Sequence, residues 1–217
     1  MKLVDTLAEQ EIVEALIEAT KPPVPPECEG LHYLLSTPFR YAPYPNGSRF
    51  RRAGFTPGVY YAAEEQRTAA AETAFYRLLF FAESPATPWP ANPLECTGFS
   101  VEVLSHRSLD LTIPPLANPR VWRHPVEYGP CQDLADAARK AGAEILRYAS
   151  ARDPGVCVAV LVCGAFAEAS PKGRETWRIG VGQSGAYALR EFPEARLEFG
   201  RDAFAADPRL AAMQWER

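Results

Sequence analysis

The stretch FRYAPYPNGSRFRRAGFTPGVYYAAEEQRTAAAETAFYRLLFF, from Phe39 to Phe81, decides how this chain is read. It opens as a turn-rich, cationic loop that carries Arg40, Arg49, Arg51 and Arg52, with Pro43, Pro45 and the Asn46-Gly47 pair supplying turn chemistry. Val59-Tyr60-Tyr61-Ala62-Ala63 follows as a β-type run. Strand geometry points Val59, Tyr61 and Ala63 one way and Tyr60 and Ala62 the other. From about Thr68 to Phe81 the spacing predicts a helix, because Ala71, Phe75, Leu78 and Leu79 form one apolar stripe. Glu72 lies one step round from that stripe, between Ala69 and Tyr76 on neighbouring turns, at the boundary of buried and wet surface. Most helical glutamates are simply solvated. Arginines, a tyrosine and a half-buried carboxylate gathered in one stretch suit a dianionic, sugar-containing ligand better than a plain core.

Upstream, residues 1–20 read as an amphipathic helix with Leu3, Leu7, Ile12, Val13, Leu16 and Ile17 near helical spacing. Pro22, Pro23, Pro25 and Pro26 make residues 21–30 an extended connector. The helix is expected to pack on its own domain, with a second subunit as the alternative. Leu31–Phe39 is expected to be a strand, ended by Pro38.

Downstream, Glu83–Gly98 is a proline-rich surface loop with Trp89, the first part of an insertion within 83–130. Phe99–Leu104 and Ser108–Ile113 read as short strands, and Pro114–Pro130 as irregular chain. Gln132–Ala141 reads as a helix capped by Gly142. Glu144–Tyr148 and the apolar run Val156–Val162 are strands, and Ser150 stands in the loop between them, just past a strand end. Trp177–Val181 and Ala186–Phe192 form a hairpin, Arg196–Phe199 a further strand, and the tail from Asp202 is helical in parts. Strands and helices mix without a βαβ series, so the expected fold class is α+β in a single domain spanning 1–217.

The totals exclude several classes. A chain of 217 residues with 47% hydrophobic residues fills a sizeable core, and a net charge of −4 gives no bulk attraction to nucleic acid or membrane. No apolar run reaches the length of a membrane span, and the acidic N-terminus resembles no signal peptide, so the expected location is the cytoplasm. Cys28, Cys96, Cys131, Cys157 and Cys163 are odd in number and lack CxxC spacing, which argues against structural disulfides and zinc. His32, His106 and His124 show no metal-ligand spacing, so no metal is expected.

Without GxGxxG or GxxxxGK[ST], a nucleotide here must be held by side chains. Arg40 and Arg49 carry planar, permanently charged groups suited to phosphate. Tyr61 offers a stacking face and a hydroxyl. Glu72 can meet a ribose and a developing positive charge, and Ser150 can supply a short polar contact. No partner histidine accompanies Ser150, so a Ser–His hydrolase fits poorly.

Gly47-Ser48-Arg49-Phe50, Gly58-Val59-Tyr60-Tyr61-Ala62-Ala63 and the Ala-Glu-Thr-Ala-Phe centre of Thr68–Arg77 resemble the core of the RES domain family. Gln132–Arg152, with Ile-Leu-Arg-Tyr-Ala-Ser-Ala-Arg, resembles its second block. The family's naming arginine, glutamate and serine would here be Arg49, or alternatively Arg40, with Glu72 and Ser150, and its strand tyrosine would be Tyr61. The resemblance implies an ADP-ribosyltransferase-like fold and a toxin of a bacterial toxin–antitoxin pair, whose antitoxin is an Xre-like helix-turn-helix protein. It further implies NAD+ as consumed substrate, cleaved by phosphorolysis or hydrolysis in some members and with ADP-ribose passed to a protein, phosphoribosyl-pyrophosphate synthetase, in at least one branch; the 83–130 insertion, as a rim that docks a protein, favours transfer here. NAD+ phosphorolysis or hydrolysis is the alternative. In the roles so implied, Arg40 and Arg49 bind phosphate, Tyr61 positions the nicotinamide riboside, Glu72 is catalytic, and Ser150 orients ligand or Glu72. A non-enzymatic binding module that recruits a partner through the 1–20 helix is the reading from a different class.

Overall fold

The computed structural model describes residues 5–41, 47–54 and 56–217. Residues 42–46, within the stretch where turn chemistry is expected, and the start of the N-terminal segment lie outside them. The fold is α+β, with two four-stranded sheets and the helices packed around them.

Sheet one has the order β1-β5-β4-β3, built from β1 (Tyr60–Ala63), β3 (Ser108–Asp110), β4 (Ile145–Ala149) and β5 (Val156–Val160). Its neighbours are antiparallel except for the parallel β3–β4 pair. Both faces are covered, which is why β5 reads as a continuous apolar run. Helix α5 (Gly129–Lys140) closes one face, packing Cys131, Ala135 and Ala138 against Leu146, Tyr148, Cys157 and Ala159. Helix α2 (Tyr33–Arg40) closes the other, with Leu35 among Tyr60, Ile145, Val160 and Phe166. Sheet two, order β2-β6-β7-β8, is wholly antiparallel: β2 (Leu94–Ser100), β6 (Lys172–Gly182), β7 (Gly185–Arg190) and β8 (Ala195–Gly200). Helix α3 (Gln66–Glu83) lies on it, burying Ala71, Ala74, Phe75 and Leu78 against Trp177, Ile179, Val181 and Ala188. The short helix α6 (Pro208–Ala211) and the tail add Leu210 and Met213 to this core.

Four expectations change. Leu31–Phe39 is largely helix α2 and not a strand: Leu31, Leu35 and Phe39 recur every four residues and all reach the same core. His32 caps the helix through Nδ1, which accepts the Leu34 N–H at 3.2 Å. Second, the surface loop expected over 83–98 ends in strand β2, which begins at Leu94 and runs only to Ser100. The segment 83–130 thereby supplies an edge strand to each sheet, β2 and β3, along with the short helix α4 (Pro119–Trp122). Third, Cys28 and Cys163 form a disulfide, with Cα atoms 5.4 Å apart across 135 residues of sequence. Spacing cannot show this pair, because packing of the 3₁₀ turn at Pro26–Cys28 against that at Cys163–Ala165 brings the two together.

The fourth concerns helix α1 (Leu7–Thr20). It forms as expected, started by a capping box in which Thr6 Oγ1 accepts the Glu9 N–H and Glu9 returns a carboxylate to the Thr6 N–H. Yet it buries no residue, and Leu7 and Leu16 are 80% and 63% exposed. The extended connector carries it away from sheets whose apolar faces α2, α3 and α5 already cover.

Candidate active site

Ser150 closes strand β4 and is fully buried. Its Oγ accepts the N–H groups of Arg152 at 3.0 Å and Asp153 at 3.2 Å. With both lone pairs occupied, the hydroxyl proton goes to Glu72 Oε1, 2.6 Å away. The same loop is bolted to α3 one turn earlier. Asp153 Oδ2 accepts Thr68 Oγ1 at 2.8 Å, and Asp153 Oδ1 accepts Arg67 Nε at 3.1 Å. Thr68 and Glu72 share one helix flank, so two bonds four residues apart set the height of Ser150 against the acid. Gly155 permits this close approach, since a Cβ there would run into the Thr68 hydroxyl. Glu72 is half-buried, and its Oε2 carries no hydrogen bond from a described residue.

Arg49 arrives from the turn Ser48–Arg51. Tyr61 holds that turn: its hydroxyl accepts the Phe50 N–H at 2.9 Å and shares a hydrogen bond with Ser48 Oγ at 2.9 Å. Arg49 Nη1 donates to the carbonyls of Trp122 at 2.6 Å and His124 at 3.1 Å, and its guanidinium lies 4.8 Å from the Tyr128 ring centroid. Its Nε and Nη2 make no hydrogen bond among the described residues. Between those two carbonyls, Arg123 donates Nε to the Ser150 carbonyl at 2.7 Å.

Tyr148 lies at the centre. Burial pushes its hydroxyl well above the ordinary value, and Cys157, Tyr61 and Glu72 push it further while Arg49 opposes them. Cys157, with Sγ 3.8 Å from Glu72 Oε1, is raised to about 12 by burial and then by the Glu72 charge. Residues 122–124 meet Arg49 through two carbonyls and Ser150 through Arg123, Tyr61 holds the Arg49 turn, and Ser150 bonds Glu72, so the four side chains gather in one neighbourhood. Arg40 does not join them. Its Nε donates to the Pro22 carbonyl at 2.5 Å and its Nη1 pairs with Glu18 at 2.6 Å, so it fastens the connector and α1. Arg51 is spent on the carbonyls of Pro38, Tyr41 and Thr56, and Arg52 on Asp133 and Asp136.

The residues missed in the sequence are Arg152, Tyr128, Tyr76 and Cys157. Arg152 is buried, stacked 3.5 Å from the Phe75 ring centroid and bonded through Nη2 to the Pro125 carbonyl at 2.9 Å. Tyr76 alone left a signal, its position one turn beyond Glu72. A cavity of about 490 Å³ opens elsewhere, between the edge strands β1 and β2. Tyr60, Val158, Phe99 and Trp177 line it together with Tyr61, Glu64 and Glu175, and Glu72, Ser150 and Arg49 do not. The Glu72 cluster is the candidate site: an acid fixed by one hydroxyl, a cation with two unbonded nitrogens, and a serine whose proton and lone pairs are all engaged. Such a serine is no nucleophile.

The family model of the RES domain matches residues 24–181. The chain belongs to the RES domain family. Its members are, in general, NAD-utilising enzymes. The matched RES segment contains Arg49, Tyr61, Glu72 and Ser150, and leaves out α1, β7, β8 and α6. A search of the curated proteins finds no match. Among the described residues, no helix of this RES protein is long and apolar enough to cross a membrane.

Proposed function

We propose that this RES protein is a toxin of a type II toxin–antitoxin pair that cleaves the nicotinamide–ribose bond of NAD+ and transfers ADP-ribose to a protein. The observation that carries the reading is the Ser150–Glu72 bond, which fixes one carboxylate oxygen and leaves the other free within a cluster that also holds Arg49. When the C–N bond breaks, its electron pair goes to the pyridinium nitrogen and positive charge develops on the ribose. Glu72, held in place and half desolvated, stabilises that charge. The free edge of Arg49 takes the pyrophosphate and fixes the geometry. An acceptor then bonds to the sugar carbon and releases a proton, giving nicotinamide and an ADP-ribosylated product.

The acceptor proposed is a protein side chain, as in the branch that modifies phosphoribosyl-pyrophosphate synthetase. The inhibitor proposed is an Xre-like antitoxin that covers the site. The location proposed under this reading is the cytoplasm. Incubation with labelled NAD+ and cell extract tests it: label retained on a protein band is expected, whereas label found only in free ADP-ribose or its 1-phosphate would replace transfer by hydrolysis or phosphorolysis. Glu72→Gln should lower nicotinamide release at least ~100-fold with little change in melting temperature; unchanged turnover removes Glu72 from the mechanism.

A further inference from the structure

A buried arginine is costly to keep unless all its donors are paired. Arg152, two residues after Ser150, is only 5% exposed, and its Nη1 makes no hydrogen bond among the described residues. An apolar side chain of similar length would serve stability at such a position as well or better. What explains the arginine is the set of parts that its other contacts join.

Its backbone N–H is one of the two that Ser150 Oγ accepts, at 3.0 Å. Its guanidinium lies 3.5 Å from the centroid of the Phe75 ring, which α3 carries three residues beyond Glu72. Its Nη2 donates to the Pro125 carbonyl at 2.9 Å and lies 3.4 Å from Asp207 Oδ2. Asp207 is fully buried and comes from the tail beyond β8, outside the RES match. Phe204 of the same tail packs on Phe75, with ring centroids 6.2 Å apart. The tail therefore braces the helix of Glu72 and the loop of Ser150 at one joint. Arg209 also pairs with Asp207, at 2.8 Å, so that carboxylate keeps a counter-ion whatever stands at position 152.

We propose that Arg152, anchored by Asp207, is a positioning residue that holds Ser150 and Glu72 in register, so that the tail outside the RES match completes the site. The inference rests on the NAD+-cleaving reading. Asp153 already bolts the loop to Thr68 and Arg67, so the loop does not need Arg152 in order to form. Arg152 adds orientation: it fixes one of the two N–H groups that occupy the Ser150 lone pairs and so aim the hydroxyl proton at Glu72. Glu72 acts on charge that develops only as the C–N bond breaks. A misaligned acid thus slows the chemical step, while Arg49 keeps its own carbonyl partners and its grip on the substrate. Loss of Arg152 should lower kcat and kcat/KM together.

The test uses the full chain with Arg152→Met, Asp207→Asn and the double variant, reading NAD+ turnover and melting temperature. Methionine fills the place against Phe75 without a charge and strands no carboxylate, so the melting temperature of Arg152→Met should change little. Its kcat should fall roughly tenfold, with KM within about threefold of wild type. Asp207→Asn removes the anchor but leaves the Phe75 and Pro125 contacts, and should lower kcat about threefold at constant KM. In the double variant kcat should match that of Arg152→Met, because both residues act through one joint. Asp207→Asn alone leaves the Arg152 charge without its carboxylate; if it fails to fold, the double variant, which buries no such charge, carries the Asp207 arm. A kcat for Arg152→Met within about twofold of wild type overturns the proposal. So does a KM that rises while kcat holds, which would make Arg152 a substrate-binding group. Losses that multiply in the double variant remove Asp207 from the joint. A wild-type chain that releases no nicotinamide overturns the NAD+ reading itself, whereas an active chain indifferent to Arg152→Met overturns the positioning role alone.

Discussion

Helices α1 and α3 are both amphipathic, and the protein treats them in opposite ways. Helix α3 sets Ala71, Ala74, Phe75 and Leu78 into the core of sheet two, fully out of solvent. Helix α1 has an equally regular stripe and a better N-cap, yet buries nothing. An apolar stripe says that a helix has a face to hide. It does not say what will hide it. Between the two runs the proline connector, and the Cys28–Cys163 bond marks where the arm ends and the body begins. The RES match starts at residue 24, close to the same boundary.

Breaking that boundary should have the largest effect. Removing the disulfide with Cys28→Ser frees a loop of 135 residues in the unfolded chain, and the chain-entropy model gives about 5 kcal/mol for such a closure. Urea unfolding with and without reductant measures it; a midpoint indifferent to Cys28→Ser would mean that the bond does not fasten the body. Next, Leu78→Ala on α3 should cost about 2–5 kcal/mol, because it opens a cavity in a fully buried position.

A smaller effect comes from the tail that packs beside α3. Burial alone would raise the Asp207 carboxyl, but hydrogen bonds from Arg209 and the charges of Arg209 and Arg152 outweigh it and leave the carboxyl below its usual range. The folded state therefore binds this proton less tightly than the unfolded chain. The stability it contributes is complete above an unfolded value of about 3.9 and is lost as pH falls through the lower folded value. Asp207→Asn should flatten the acid limb of a plot of unfolding free energy against pH, and an unaltered limb would dismiss Asp207 as its source. The smallest effect belongs to α1: Leu16→Ala should stay within about 0.5 kcal/mol, since that side chain touches little. A loss as large as that of Leu78→Ala would show α1 packed in solution and would erase the contrast between the two helices.

Much of the fold could be read from periodicity. Helix α3, strand β1, the β4–β5 and β6–β7 hairpins and helix α5 all follow patterns of local sequence, with ends displaced by a few residues. Leu31–Phe39 reads as a strand ended by Pro38 because a short apolar run overlaps there with the four-residue spacing that the helix uses. Strand β2 hid among prolines because an edge strand needs little alternation. Within the site, Glu72 stood out by its place on the edge of a stripe, and Ser150 by its place just past a strand. Arg152 looked like any loop arginine. Arg40 looked as suitable for phosphate as Arg49, since both are loop arginines in one cationic stretch; only their partners differ.

Residue types and their spacing determined by themselves that the chain mixes helices and strands, that an acid rides the rim of α3, and that no phosphate-cradling glycine loop is present. These follow from rules acting over a few neighbouring residues: helical pitch, strand alternation and turn chemistry. The tertiary structure alone decided that Ser150 donates to Glu72 across 78 residues, that Arg49 and not Arg40 stands beside them, that Cys28 meets Cys163, and that α1 is left uncovered. Those outcomes depend on which surfaces meet when the sheets assemble, and no short-range pattern encodes a distance between residues far apart in the chain.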